Sequence, residues 1–355
     1  MTRCAITPIH SVNIFKENIV KKLIPALVLG LGLSAAINAQ DVGMLNDDFQ
    51  VSYYGEINAN GVFHEDYNYN YTYSWLSLQV EWKKKVRAVL TTNLTSIFEN
   101  NDIKLEDDFS LEEFITEAYI EIKEVGGAPV AIIVGKRSIP FTSKVEAMPI
   151  FGNNPLEDQF NQEEVFGLTV RLDKGILGLF DSAEISAFET EEGDLSIGTI
   201  NGVSAKLSKE LTRNIVANAG VVRIDHDSDT EMRGLLGVVA KSDDGDLVGW
   251  VNGMIFSNNP DFPNSDFGIT AGTKYQLTGA ADVVVEMTYI EKEVLQYAIG
   301  TNIALTRRIT LGAEVRYNDY QDSREDEVVF GVNARYTFGV NNYAPNEEYL
   351  IGDDQ

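Results

Sequence analysis

The sequence predicts an all-β protein, a transmembrane antiparallel up-and-down β-barrel of about sixteen strands, and three observations lead there. Runs of about ten residues alternate between apolar and polar side chains, the length that crosses a bilayer at a tilt. The connections between runs alternate between short and long, and aromatic residues sit at the ends of several apolar faces. A period of two places successive side chains on opposite sides of a strand. Strands of a soluble sandwich are about half as long, averaging about five or six residues.

The first element is an export signal. Lys21 and Lys22 precede an apolar, uncharged stretch from Leu23 to Ala36, and the small-residue tract Ser34-Ala35-Ala36-Ile37-Asn38-Ala39 closes it. This is the order of a secretory signal peptide, with cleavage after Ala39 and residues 1–39 removed. The stretch is too short to span a bilayer as a helix, which takes about 20 residues; a buried helix or a retained anchor is the alternative. The part before Lys21 is long for such a signal, so the true start is expected downstream of Met1. The single cysteine, Cys4, lies in the removed segment, and a chain without thiols suits an oxidising compartment.

The chain of 355 residues has a formal charge of −26 and 44% hydrophobic residues. That hydrophobic share is ordinary for a folded chain and too low for a helical membrane protein. The removed segment carries Arg3, Lys16, Lys21 and Lys22 against Glu17, so the mature chain is more acidic still. So acidic a surface argues against nucleic acid and against anionic membrane patches as partners.

The strands are expected near residues 50–63, 72–82, 85–98, 112–123, 129–138, 163–172, 181–189, 199–207, 214–223, 232–240, 247–256, 267–277, 281–290, 294–305, 309–318 and 328–338. The last is the clearest: Phe330, Val332, Ala334, Tyr336 and Phe338 share one face, opposite Gly331, Asn333, Arg335 and Thr337. In the run near 281–290 Val284 breaks the rule, an apolar residue on the polar side. Alternation is blurred over 181–207, which leaves fourteen or eighteen strands open. Short turns fall at Lys83-Lys84, Gly126-Gly127, Ser242 to Gly245, Thr278 to Ala280 and Thr306 to Arg308. Long loops fall at 64–71, 99–111, 139–162, 190–198, 224–231, 257–266 and 319–327, the asymmetry of an outer-membrane barrel with short periplasmic turns. Prolines avoid strand interiors, and Pro129 opens a strand. The barrel is expected over 40–338, ending on Phe338, with 339–355 a solvated periplasmic extension. Trp82, Tyr275, Tyr289, Tyr317, Tyr336 and Phe338 mark the interfacial girdles.

Taking the polar face as inward, the lumen gains Arg87, Lys123, Arg137, Arg171, Lys206, Arg233, Lys274, Arg316 and Arg335. Against them stand Glu56, Glu81, Glu117, Glu121, Glu184, Asp282, Glu286 and Glu314. Single mid-strand charges are costly in a dry core and at ease in a wet lumen. Both signs are present, which fits a hydrated wall held in register as well as a dedicated solute site.

Catalysis finds little support. His64 and His226 both fall in outer loops, with no nucleophile or acid placed beside them on one face. Asp225-His226-Asp227-Ser228-Asp229 alternates acids as calcium loops do, yet lacks their Gly and closing Glu. Lys83-Lys84-Lys85 is too short for a nucleic-acid patch. No cofactor and no metal are expected.

The longest loop carries the most specific pattern. It reads Val134-Gly135-Lys136-Arg137-Ser138-Ile139-Pro140-Phe141, then Asn154-Pro155-Leu156, then Glu163-Glu164-Val165-Phe166. This resembles the LbtU-type siderophore porins, in which a strand ending in Gly-Lys leads to Pro-Phe, then Pro-Leu, then an acid before the next strand. The phosphate-selective-type porins show a looser version. The sequence departs from the family at Thr142, where the pattern has Gly, and again in continuing past Phe338. The resemblance implies a sixteen-strand outer-membrane porin passing small solutes by diffusion, with siderophore uptake as the named substrate class. A non-conducting barrel acting as adhesin or structural anchor is the alternative.

The loop Ile139 to Gln162 is expected to fold inward and form the constriction. Lys136, Arg137, Lys144 and Arg171 would face Glu157 and Asp158 across it as the solute-binding set, with Glu146, Glu163 and Glu164 adding acid. The partners expected are outer-membrane lipid and lipopolysaccharide, the barrel assembly machinery that reads a terminal aromatic residue, and a small solute. Assembly as a homotrimer is left open beside a monomer, and the expected location is the bacterial outer membrane.

Overall fold

In a computed structural model of the chain, residues 48–64, 68–95, 114–141, 148–149, 155–173, 179–190, 199–226, 229–321 and 324–340 are described. The signal segment, the tail after 340 and Lys144 lie outside them. The described residues form sixteen strands: β1 Phe49–Phe63, β2 Asn68–Trp82, β3 Val86–Asn93, β4 Ile115–Ile122, β5 Val130–Pro140, β6 Asn161–Asp173, β7 Ser182–Glu189 and β8 Gly202–Thr212. They continue with β9 Ile215–Asp225, β10 Thr230–Lys241, β11 Leu247–Ser257, β12 Phe267–Thr278, β13 Ala281–Ile290, β14 Val294–Ala304, β15 Ile309–Tyr320 and β16 Glu327–Val340. Each strand pairs antiparallel with its chain neighbours, and β1 pairs with β16, so the barrel is closed. The count open between fourteen and eighteen resolves to sixteen, and the blurred region supplies β7 and β8 without a break.

Closure is what a bilayer demands, since no backbone N–H or C=O can be left facing hydrocarbon. The outer wall meets the same demand with side chains. Leu78, Leu90, Ile120, Val134, Leu168, Ile185, Leu236, Ile255 and Ile299 stand exposed on it. Aromatic residues flank this belt at both rims. Phe63 stacks near Phe330 and Phe267 near Tyr289 toward the long loops, at 5.8 Å in each case. Trp82 and Tyr275 stand toward the short turns. The β2–β3 turn holds Lys83 and Lys84 at φ 52° and 58°, a tight reversal made without glycine. The β4–β5 turn does use glycine, Gly126 and Gly127 at φ 64° and 80°.

The last strand runs two residues past Phe338, Val340 pairing with Tyr53. Phe338 is buried at the seam that closes the barrel, its ring lying over Gly55 and packed with Ile57 and Tyr336. Ending the chain after Val340 should therefore leave heat-modifiable folding intact, whereas Phe338→Ala should cost roughly 3 kcal/mol and impair closure. A gel-shift comparison checks this; equal tolerance of both changes would show that the seam does not depend on that ring.

Candidate functional site: the lumen and its docked loop

Register fixes which residues face in. Arg87, Glu121, Arg171 and Glu184 occupy one side of β3, β4, β6 and β7, opposite the exposed Leu90, Ile120, Leu168 and Ile185. Continued round the barrel, the inward rows of β10 and β11 hold Leu235, Val239, Trp250, Met254 and Phe256, all buried. An apolar lumenal wall needs a cover, and the segment between β5 and β6 supplies it.

Its described residues reach strands far from their own. Phe141 and Ile139 pack with Phe188, Val222 and Ile224. Met148 packs with Val239, Trp250, Val284 and Ala298. Leu156 and Phe160 pack with Leu235, Met254, Phe256, Ile290 and Val294. The loop thus crosses from β5 to the wall built by β9 to β16. Val284, the residue that broke the alternation, is the floor beneath Met148.

Glycines make room for this cover. A Cβ at Gly220 would lie 2.0 Å from the Phe141 carbonyl oxygen, and one at Gly268 would lie 2.7 Å from Leu156. Pro149 sits over both Gly300 and Gly312, 2.6 Å from a Cβ at either. Four strands therefore omit an inward side chain where the loop comes down.

Polar contacts fasten the same segment. Arg233 on β10 donates to the Gln159 carbonyl at 3.2 Å and to Gln162 Oε1 at 3.3 Å, and pairs with Glu231 at 2.6 Å. Its guanidinium lies 5.8 Å from the centre of the Phe141 ring. Asn259 donates to Gln159 Oε1 at 2.9 Å, and Gln159 donates to Asp261 at 2.7 Å. Asn333 on β16 donates to the Pro149 carbonyl. Between Met148 and the short turns a cavity of about 210 Å³ is lined by Lys274, Asp282, Asn302, Arg335 and their neighbours.

The wall near the loop's own strands is charged instead. Glu121, fully buried, holds Arg87 at 2.8 Å and Arg171 at 2.6 Å, with Lys123 at 3.9 Å. Lys123 also reaches Glu81 at 3.7 Å, and Arg137 reaches Glu184 at 3.3 Å. Charges of opposite sign on adjacent strands interlock as a ladder.

Of the solute-binding set expected from sequence, Arg137 and Arg171 stand in this ladder, each paired with carboxylates. Lys136 departs from expectation. Its register partners are Ala118 and Phe166 on the outward row, and its ammonium pairs with Glu164 at 2.9 Å and donates to the Ile115 carbonyl at 2.8 Å. A bulge explains the local geometry: Glu164 takes φ 53° and the register shifts between Arg137 and Ile139. The shift brings Gln162 opposite Ile139 and within reach of Arg233. Glu157 and Asp158 lie in a 3-10 turn, Glu157–Phe160, and Lys144 is outside the described residues. Sequence reasoning did not single out Arg233, Asn259 and Asn333 as fasteners. The inward glycines were the available signal.

His64 pairs with Glu327 at 3.6 Å and His226 with Glu231 at 3.4 Å, both at the long-loop rim. Among the described residues no group of three or more His, Cys, Asp or Glu is arranged to hold a metal ion.

A closed antiparallel barrel, apolar outside, charged within and short-turned at one end, is a transmembrane barrel of the bacterial outer membrane. No protein-family model matches the sequence, and no curated protein matches it. Solved structures do. The anion-selective porin from Comamonas acidovorans aligns with a TM-score of 0.57 at 11% identity, over 82% of this chain and 100% of that one. In-vitro folded OmpT in trimer form, an outer membrane protein of Vibrio cholerae, gives 0.55 at 12% identity, over 82% and 100%. A mutant of the Rh. blastica porin gives 0.51 at 14% identity, again over 82% and 100%. At such identities the likeness is one of fold. It agrees with the porin fold that the strand-to-loop motif implies and does not extend to the LbtU-type family.

Proposed function

We propose that this chain is a porin, a passive water-filled pore whose longest loop narrows the passage for small solutes. The observation that carries the reading is that loop itself, seated on an apolar lumenal wall over glycines that leave it room. A structural anchor has no need of a cover inside its barrel, or of a ladder of both charge signs around the space that is left. In this reading Arg137 and Arg171 belong to the constriction wall, with Lys144, Glu157 and Asp158 contributed by the loop, while Lys136 ties the loop's foot to Glu164. A homotrimer is part of the proposal, supported by the trimeric form among the structural neighbours. Siderophore uptake has the strand-to-loop motif as its sole support.

Purified protein in planar bilayers should give discrete, stable conductance steps. Correctly folded, heat-modifiable protein that inserts without conductance would instead establish the adhesin or anchor reading.

A further inference from the structure

We infer that the cavity between Met148 and the short turns is a binding site for a small hydroxycarboxylate such as lactate. The site stands on the cavity itself, while its place on the exit path of the pore rests on the porin reading above. Six polar side chains line it: Lys274 and Gln276 on β12, Asp282 on β13, Asn302 on β14, Thr310 on β15 and Arg335 on β16. All belong to inward rows. Arg335 follows the Asn333 that holds the loop, and Asn302 follows the Gly300 that Pro149 covers. Met148 closes the cavity on the loop side. Its volume of about 210 Å³ falls short of the roughly 300 Å³ and more that hold drug-sized ligands, so it suits an acid of a few carbons.

Two polar groups without partners define what the cavity would take. Elsewhere in the lumen Arg87, Arg137, Arg171, Arg233 and Arg316 each hold a carboxylate within 3.3 Å. Arg335 holds none among the described residues, and its register neighbours, Asn58 and Thr310, are uncharged. Glu56, two residues from Asn58 on β1, accepts from Asn58. Asp282, the carboxylate in the lining, is already shared by Lys274 at 3.3 Å and the Asn302 amide at 3.0 Å. The second group is an acceptor: Asn302 Oδ1 is buried and receives no hydrogen bond. Because Asp282 fixes the nitrogen of that amide, the orphaned oxygen cannot trade places with it.

A guanidinium with no carboxylate of its own takes one through paired N–H bonds. A buried carbonyl oxygen in the same cavity takes a hydroxyl, since leaving it unmet costs free energy. Lys274 and Arg335 against Asp282 leave one net positive charge, which matches a monoanion better than a sulfate or phosphate dianion. A hydroxy acid brings the carboxylate and the donor on adjacent carbons. Thr310 and Gln276 add a hydroxyl and an amide to the same lining.

The test is ligand-observed saturation-transfer NMR on the full-length protein folded in detergent, with lactate as probe. Lactate should bind saturably, and propionate, which lacks the hydroxyl, several-fold more weakly. Inorganic phosphate at equal concentration should not displace lactate. Arg335→Gln should raise the lactate dissociation constant roughly tenfold or more. Arg335→Lys, which keeps the charge and loses the fork, should recover part of that loss. Thr310→Val, with a several-fold loss, serves where the arginine variants fold poorly. A conducting barrel without saturable lactate binding, or with binding indifferent to Arg335, overturns the site and leaves the porin reading standing. Equal binding of propionate or phosphate overturns the assigned ligand class. A barrel that binds lactate through Arg335 yet passes no current keeps the site and loses the pore.

Discussion

Replacing Leu156 and Phe160 together by alanine is expected to undock the loop and enlarge the pore. Both side chains are fully buried against β10 to β14, the largest apolar contact between the described loop residues and the wall. Truncating a well-packed leucine or phenylalanine costs about 3 kcal/mol, so the pair removes roughly 6 kcal/mol of docking free energy. That is roughly four decades in the ratio of docked to undocked loop. The polar fasteners around Arg233 and Gln159 are worth about 1 kcal/mol each net and do not compensate. Single-channel recordings should show a larger and noisier conductance. Heat-modifiability should persist, because the strand ladder is untouched. An unchanged conductance would mean that the loop does not set the bore.

The second large effect is expected at Glu121. Its carboxylate sits between Arg87 and Arg171 with Lys123 behind, and it is fully enclosed. Glu121→Ala leaves three cations facing one another across β3, β4 and β6. Removing one partner of an enclosed pair costs about 3–5 kcal/mol, because the remaining charge keeps its desolvation without its counter-charge. The variant should lose thermal stability and shift the reversal potential in a salt gradient toward anions. Glu121→Gln should shift selectivity the same way with a smaller loss of stability, since the amide still accepts from an arginine. If the reversal potential of Glu121→Gln matches the unaltered protein, ions do not pass along this wall.

The barrel was largely legible in the sequence because the bilayer enforces a local rule, apolar out and polar in, that each strand must satisfy on its own. β13 to β16 lie within a residue or two of the expected segments, and even the blurred run around Ile185 and Val203 keeps its outward residues exposed. The site was less legible because a loop's resting place is a relation between distant segments. Val284 breaks the alternation because Met148, from a distant segment, packs upon it. Gly220, Gly268, Gly300 and Gly312 carry no signal one at a time. Their meaning lies in the Phe141, Leu156 and Pro149 atoms that occupy the space. Lys136 and Arg137 cluster at the entry of the longest loop in the sequence, whereas the alternation of a strand sends adjacent residues to opposite sides.

The glycine row also sets an order of events during biogenesis. Phe141 needs β9, Leu156 needs β12, Pro149 needs β14 and β15, and the Asn333 contact to Pro149 spans 184 positions of the chain. The loop's landing ground is built from strands that follow it in sequence, and its last fastening point belongs to the strand that shuts the cylinder. Contacts of such separation form late, since the intervening chain must be ordered first. In the porin reading, a barrel whose strands have closed before this segment settles would be sealed against lipid yet wider in bore, and the docking of one segment would then narrow it.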